Sequence, residues 1–81
     1  MHLGELLKDI NVLKIEGSED TLIKGVSHDS RTMEPGFLFV AIKGFKNDGH
    51  QYVRDAVEKG SPAVLVQKEV DVPPGVTRVL V

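Results

Sequence analysis

The chain has 81 residues, 41% of them hydrophobic and 27% charged, with a formal net charge of −2. That composition is globular rather than disordered, and the length allows one small domain with a thin margin of stability. Basic residues are interleaved with a slight acidic excess, which disfavours a nucleic-acid partner, and the lack of cysteine removes disulfides, thiolate metal sites and thiol nucleophiles. No apolar run is long enough for a signal peptide or a membrane span. A cytoplasmic domain with no membrane partner is therefore expected, and no apolar stripe argues against a monomer.

Leu3, Leu6, Leu7 and Ile10 fall at i, i+3, i+4 and i+7. This predicts a short amphipathic helix that needs tertiary contact to persist. Residues 12–15 alternate loosely and suit an edge strand, and Gly17-Ser18-Glu19-Asp20 is a turn cluster. From residue 21 to about 31 the chain reads as strand. Period-2 alternation then sets Val26, His28 and Ser30 on one face and Ser27, Asp29 and Arg31 on the other. Asp29 and Arg31 could pair across one pleat, leaving Ser30 free.

Met33-Glu34-Pro35-Gly36 carries a type II turn signal, with proline preset at i+1 and glycine supplying positive φ at i+2. Residues 37–42 return as a near-continuous apolar strand, which implies burial on both faces. A hairpin-like pair is the economical reading, with a wider connection as the alternative. Gly44-Phe45-Lys46-Asn47 reads as a loop. Asp48 suits an N-cap, with Gln51 at capping-box spacing. The helix over residues 49–59 is expected to bury Tyr52, Val53, Ala56 and Val57 and to end at Gly60 as its C′ glycine. Residues 62–66 form a short buried strand, which completes a parallel βαβ unit. Val72-Pro73-Pro74-Gly75 is a turn, and the last strand begins near Val76. The sum is an α/β domain: a small mixed sheet with a βαβ unit and flanking helices. The strand-like close over residues 76–81, without a polar tail, predicts one domain cut from a longer protein.

Few residues carry distinctive chemistry. His28, Asp29 and Ser30 are adjacent, but alternation points Asp29 away from His28 and Ser30, which argues against a hydrolytic triad. His2, His28 and His50 lack ligand spacing, and Asp29, Asp48 and His50 could meet only if two loops converge, so no metal site is expected. No Gly-x-x-x-x-Gly-Lys-Ser/Thr cradle is present. Asp48 already fills the anion position at its helix start, although Lys46 and Arg31 could reach a diphosphate from the side. What remains is a small polar pocket. Ser30 offers a hydroxyl, and Phe45-Lys46-Asn47 offers a ring, a cation and an amide, a set suited to a flat heterocycle carrying phosphates. The plainer possibility is that Ser30 caps the nearby turn and the loop is merely solvated.

The string Gly25-Val26-Ser27-His28-Asp29-Ser30-Arg31, then Pro35-Gly36, Leu38-Phe39-Val40-Ala41, Gly44 and Asp48-Gly49-His50, is similar to the N-terminal domain signature of the Mur ligases. The match runs over about residues 21–81 and looks most like the branch that adds the third residue, diaminopimelate or lysine, to the peptidoglycan peptide. In that family the N-terminal domain anchors the UDP end of a UDP-N-acetylmuramoyl-dipeptide, while central and C-terminal domains bind ATP and the incoming amino acid. The resemblance implies that His28 meets uridine through its backbone, that Ser30 is a polar uridine contact, and that Phe45, Lys46 and Asn47 close over the uracil. Those three differ from the His-Gln-Ala of some relatives, so their contacts would be main-chain or stacking by Phe45. Asp48, Gly49 and His50 read as structural. The family's Gly-Thr-Asn-Gly-Lys-Thr-Thr loop would lie beyond Val81, so ATP and Mg²⁺ would be held by residues outside this chain, which would bind without catalysing. The alternatives are the sister ligase that adds D-alanyl-D-alanine, and a non-enzymatic docking or sensory module of similar fold.

Overall fold

A computed structural model describes residues 1–42 and 48–81. Among them, a five-stranded sheet runs in the order β1-β5-β4-β3-β2, with β1 Lys14–Glu16, β2 Gly25–Ser27, β3 Phe37–Val40, β4 Ala63–Val66 and β5 Thr77–Leu80. β2, β3, β4 and β5 run parallel to one another, and only the edge strand β1, paired with β5, is antiparallel. The expected mixed α/β sheet is therefore present, and β3 and β4 form the parallel βαβ unit.

Alternation in the strands divides the apolar residues between two cores. Phe39, Ala41, Val64 and Val66 meet Met33, Val53 and Ala56 on one face. Leu38, Ala63 and Val79 meet Leu3, Leu7 and Ile23 on the other. Each face is covered by a helix, α1 (Leu3–Leu6) or α2 (Val53–Glu58), and this is why β3 lacks polar alternation. Within the expected stripe of α1, Leu3 and Leu7 are buried but Ile10 is exposed.

Several expectations need correction. β2 and β3 are not a hairpin; they are parallel, with Gly25 opposite Phe37 and Ser27 opposite Phe39. The strand also stops at Ser27 rather than continuing to Arg31. Ser27 Oγ accepts from the Asp29 amide at 3.1 Å, and the Asp29 carboxylate then accepts from the Arg31 amide at 2.8 Å. These side chains offer the backbone local partners in place of a sheet ladder and turn it into a 3₁₀ helix over Ser30–Thr32. The proposed sharing of one strand face by His28 and Ser30 is thus replaced by a turn. Residues 28–36 then cross over the face covered by α2, where Met33 enters the core. The type II turn is as expected: Gly36 has φ of 90°, and the Phe37 amide donates to the Glu34 carbonyl at 3.1 Å.

After β3, the expected loop at Gly44-Phe45-Lys46-Asn47 lies outside the described residues. The helix that follows starts as a 3₁₀ turn over Gly49–Tyr52 before becoming α2. Its end is a Schellman motif: the Ser61 amide donates to the Ala56 carbonyl and the Gly60 amide to the Val57 carbonyl, with Gly60 at φ of 100°. Val53 and Ala56 are buried as expected, whereas Tyr52 is 38% exposed.

Candidate functional site

In a mostly parallel sheet, the open space lies beyond the carboxyl ends of the strands, where the chain leaves one strand and has not yet entered the next helix. A cleft of about 470 Å³ occupies that position here, lined by His28, Asp29, Ser30, Arg31, Val40, Ile42, Gly49 and Tyr52. The first four residues follow the end of β2, Val40 and Ile42 the end of β3, and Gly49 and Tyr52 the start of the next helix. Its lining is part polar turn and part apolar wall.

The polar side is held firmly. Asp29 caps the 3₁₀ turn and also receives Arg31 Nε at 3.1 Å and Nη2 at 2.9 Å. These hydrogen bonds, those from the Arg31 side chain first, lower the Asp29 carboxyl to about 2. Because its carboxylate is committed to Arg31, Asp29 is not the third member of a His–Ser relay. Ser30 is buried, only 6% exposed, and it lines the cleft at this turn. Its carbonyl accepts from Lys59 Nζ at 2.6 Å, which braces the turn against the far end of α2. His28 stands exposed at the rim.

Gly49 also lines the cleft, and its neighbours Asp48 and His50 hold it in place. The Asp48 carboxylate accepts from the His50 amide at 3.0 Å, from Lys68 Nζ at 2.9 Å and from His50 Nδ1. Lys68 first, then the His50 amide, holds the Asp48 carboxyl well below the usual carboxylate range. His50 Nε2 accepts from the Gln67 amide at 2.9 Å, so the ring proton sits on Nδ1 and points at Asp48. Gly49 donates to the Ile42 carbonyl at 2.8 Å, and a Cβ there would come within 2.9 Å of the Ile42 amide nitrogen and carbonyl oxygen. The three residues tie the helix start to the ends of β3 and β4, a structural role as expected.

The two depressed carboxyl groups give a pH prediction. Each titrates lower in the folded chain than in the unfolded one, so its contribution is complete above the ordinary carboxylate range and is lost as pH falls through it. The urea midpoint is expected to drop between about pH 5 and about pH 2.5, and to drop less in Asp48→Asn. An equal drop in both proteins would remove Asp48 from the account.

Of the residues expected at the site, the structure brings His28 and Ser30 to one cleft, while Phe45, Lys46 and Asn47 lie outside the described residues. Tyr52 was missed, having been assigned to the buried helix face. So were Val40 and Ile42, which read only as strand core, and Lys59, whose long-range contact leaves no local signal. Among the described residues, no three His, Asp or Glu side chains gather into a metal-binding group. No helix among them is long and apolar enough to cross a membrane.

An α/β domain with a cleft at the carboxyl edge of a mostly parallel sheet is a common architecture, and comparison narrows it. Residues 22–80 match the family model described as "Mur ligase family, catalytic domain". The whole chain is 46% identical to a UDP-N-acetylmuramoyl-L-alanyl-D-glutamate--2,6-diaminopimelate ligase of Caldanaerobacter subterraneus, and covers 17% of that protein. It is 40% identical to the enzyme of the same name from Alkaliphilus metalliredigens, covering 16% of it. Among solved structures, MurF from Acinetobacter baumannii superposes with a TM-score of 0.65 at 32% identity, over 73% of this chain and 13% of that one. MurF from Thermotoga maritima in complex with ADP gives 0.65 at 27% identity, over 76% and 14%. The chain belongs to the Mur ligase family.

Proposed function

We propose that this chain is the nucleotide-anchoring N-terminal domain of a cytoplasmic, ATP-dependent amide ligase that adds diaminopimelate or lysine to UDP-N-acetylmuramoyl-L-Ala-D-Glu. The cleft carries the reading: it opens at the carboxyl edge of the sheet and is lined by Ser30, within the segment most like the family signature. The names of the relatives at 46% and 40% identity support the third-residue branch over the sister ligase that the solved MurF structures represent. The substrate's uridine would bind through Ser30 and the His28 backbone, with Phe45, Lys46 and Asn47 closing over it.

The chain's part is to hold. Binding energy from the remote nucleotide would position the distant dipeptide carboxylate for reaction, a use of non-reacting contacts to serve the reacting end. Among the described residues, none fits ATP or Mg²⁺. The sequence has no phosphate loop, and the acidic group that lines the cleft, Asp29, is already engaged by Arg31. The central and C-terminal domains of the longer ligase would supply both. An NMR titration with UDP tests the anchoring role: amide shifts centred on Ser30 and Phe45, with weak affinity, are expected. Shifts confined to other regions would overturn the site.

A further inference from the structure

Tyr52 is the chain's single tyrosine, and there is no tryptophan. Its neighbours Val53 and Ala56 are buried at 3% and 0%, yet Tyr52 is 38% exposed and lines the cleft. Among the described residues its hydroxyl makes no hydrogen bond, and the Arg31 guanidinium is its charged neighbour. The 3₁₀ start of the helix is what turns it out of the core. Ile42, 48% exposed, and Val40 add apolar surface to the lining. The polar turn bearing Ser30 and the Asp29–Arg31 pair lines the same cleft. The cleft therefore combines a flat π-surface with hydrogen-bonding groups, a set that suits a planar heterocycle gripped by its face and read at its edge.

We propose that Tyr52 is the stacking platform for the pyrimidine base of the bound nucleotide. This rests on the nucleotide-anchoring reading of the cleft and assigns the base to the Tyr52 wall, in place of stacking by Phe45 alone. The phosphates then leave toward the mouth, where Arg31 is 87% exposed.

The test uses UMP as the probe on chain labelled with ring-¹³C tyrosine, which gives one aromatic spin system. NOEs from uracil H5 and H6 to that ring are expected, with both uracil protons shifted upfield. Tyr52→Ala and Tyr52→Leu should raise the Kd for UMP about tenfold or more, and Tyr52→Phe by about twofold at most. Ribose 5-phosphate, which has no base, should bind all four proteins alike. Because Tyr52 is exposed, the variants should keep the wild-type amide spectrum outside the cleft. UMP that shifts the Ser30 amide equally well in wild type, Tyr52→Ala and Tyr52→Leu would overturn the stacking role and leave nucleotide anchoring standing. Wild-type chain in which neither UMP nor UDP moves any amide of residues 28–31 would overturn both.

Discussion

Replacing His50 by alanine is expected to lower stability by about 2–4 kcal/mol, from the loss of both ring hydrogen bonds plus an unfilled cavity. The imidazole is buried, with its side chain only 4% exposed, and it is bonded at both ring nitrogens. Alanine would leave the Gln67 amide without its ring partner, remove one donor from Asp48 and open space under the helix start. A chain this small has a total stability of about 4–12 kcal/mol, so the loss is a large share of it. The melting temperature should fall by roughly 10–25 °C. Glutamine, which offers a donor and an acceptor on a flexible stem, should recover part of the loss. Thermal unfolding followed by circular dichroism gives the comparison, and a fall of only a degree or two in His50→Ala would mean that the ring bridges nothing of consequence. The site should respond as well, since Gly49 and Tyr52 ride on the same turn.

That turn also shows where a sequence alone stops being legible. Gly60, Pro35-Gly36 and the apolar run of β3 are local signals with one physical meaning each, and the structure uses them as their chemistry suggests. The Ser27-His28-Asp29-Ser30-Arg31 run was ambiguous because its side chains can either alternate along a strand or bond their own backbone. The second option wins here, through Ser27 Oγ and the Asp29 carboxylate. Tyr52 was misplaced by phase. A period of 3.6 counted from Gly49 puts it beside Val53 on the core side, but the first turn is 3₁₀, with about three residues per turn, and the ring swings toward the cleft. The parallel pairing of β2 with β3 was announced by the double-sided burial of β3, yet the Pro-Gly turn drew the reading toward a hairpin. The Lys59–Ser30 brace joins residues whose closeness only the folded crossover creates. Residues His28 and Ser30 could be singled out in advance; the wall facing them could not.

Gly60→Ala should be more damaging than its conservative chemistry suggests, and Gly75→Ala provides the measure. Both glycines have positive φ, 100° and 92°, so alanine meets the same backbone penalty at either, about 1–2 kcal/mol. Around Gly75 nothing lies within 4 Å of an added Cβ, whereas at Gly60 that atom would sit 2.9 Å from Pro35 Cα and 3.1 Å from Pro35 Cβ. The obstacle is backbone and a proline ring, neither of which can rotate away. It is also fastened, because the Gly36 amide donates to the Gly60 carbonyl at 3.0 Å. The overlap should add about 1–3 kcal/mol, for a total of roughly 2–5 kcal/mol against about 1–2 kcal/mol at Gly75. Relief would require the 28–36 crossover to lift from the end of α2, and the Ser30 turn would lift with it. Gly60→Ala should therefore also displace the Ser30 and Arg31 amide resonances, while Gly75→Ala leaves them in place. Equal losses of stability in the two variants, with the Ser30 resonance unmoved in both, would show that the contact between the helix end and Pro35 does not set the position of the cleft's polar side.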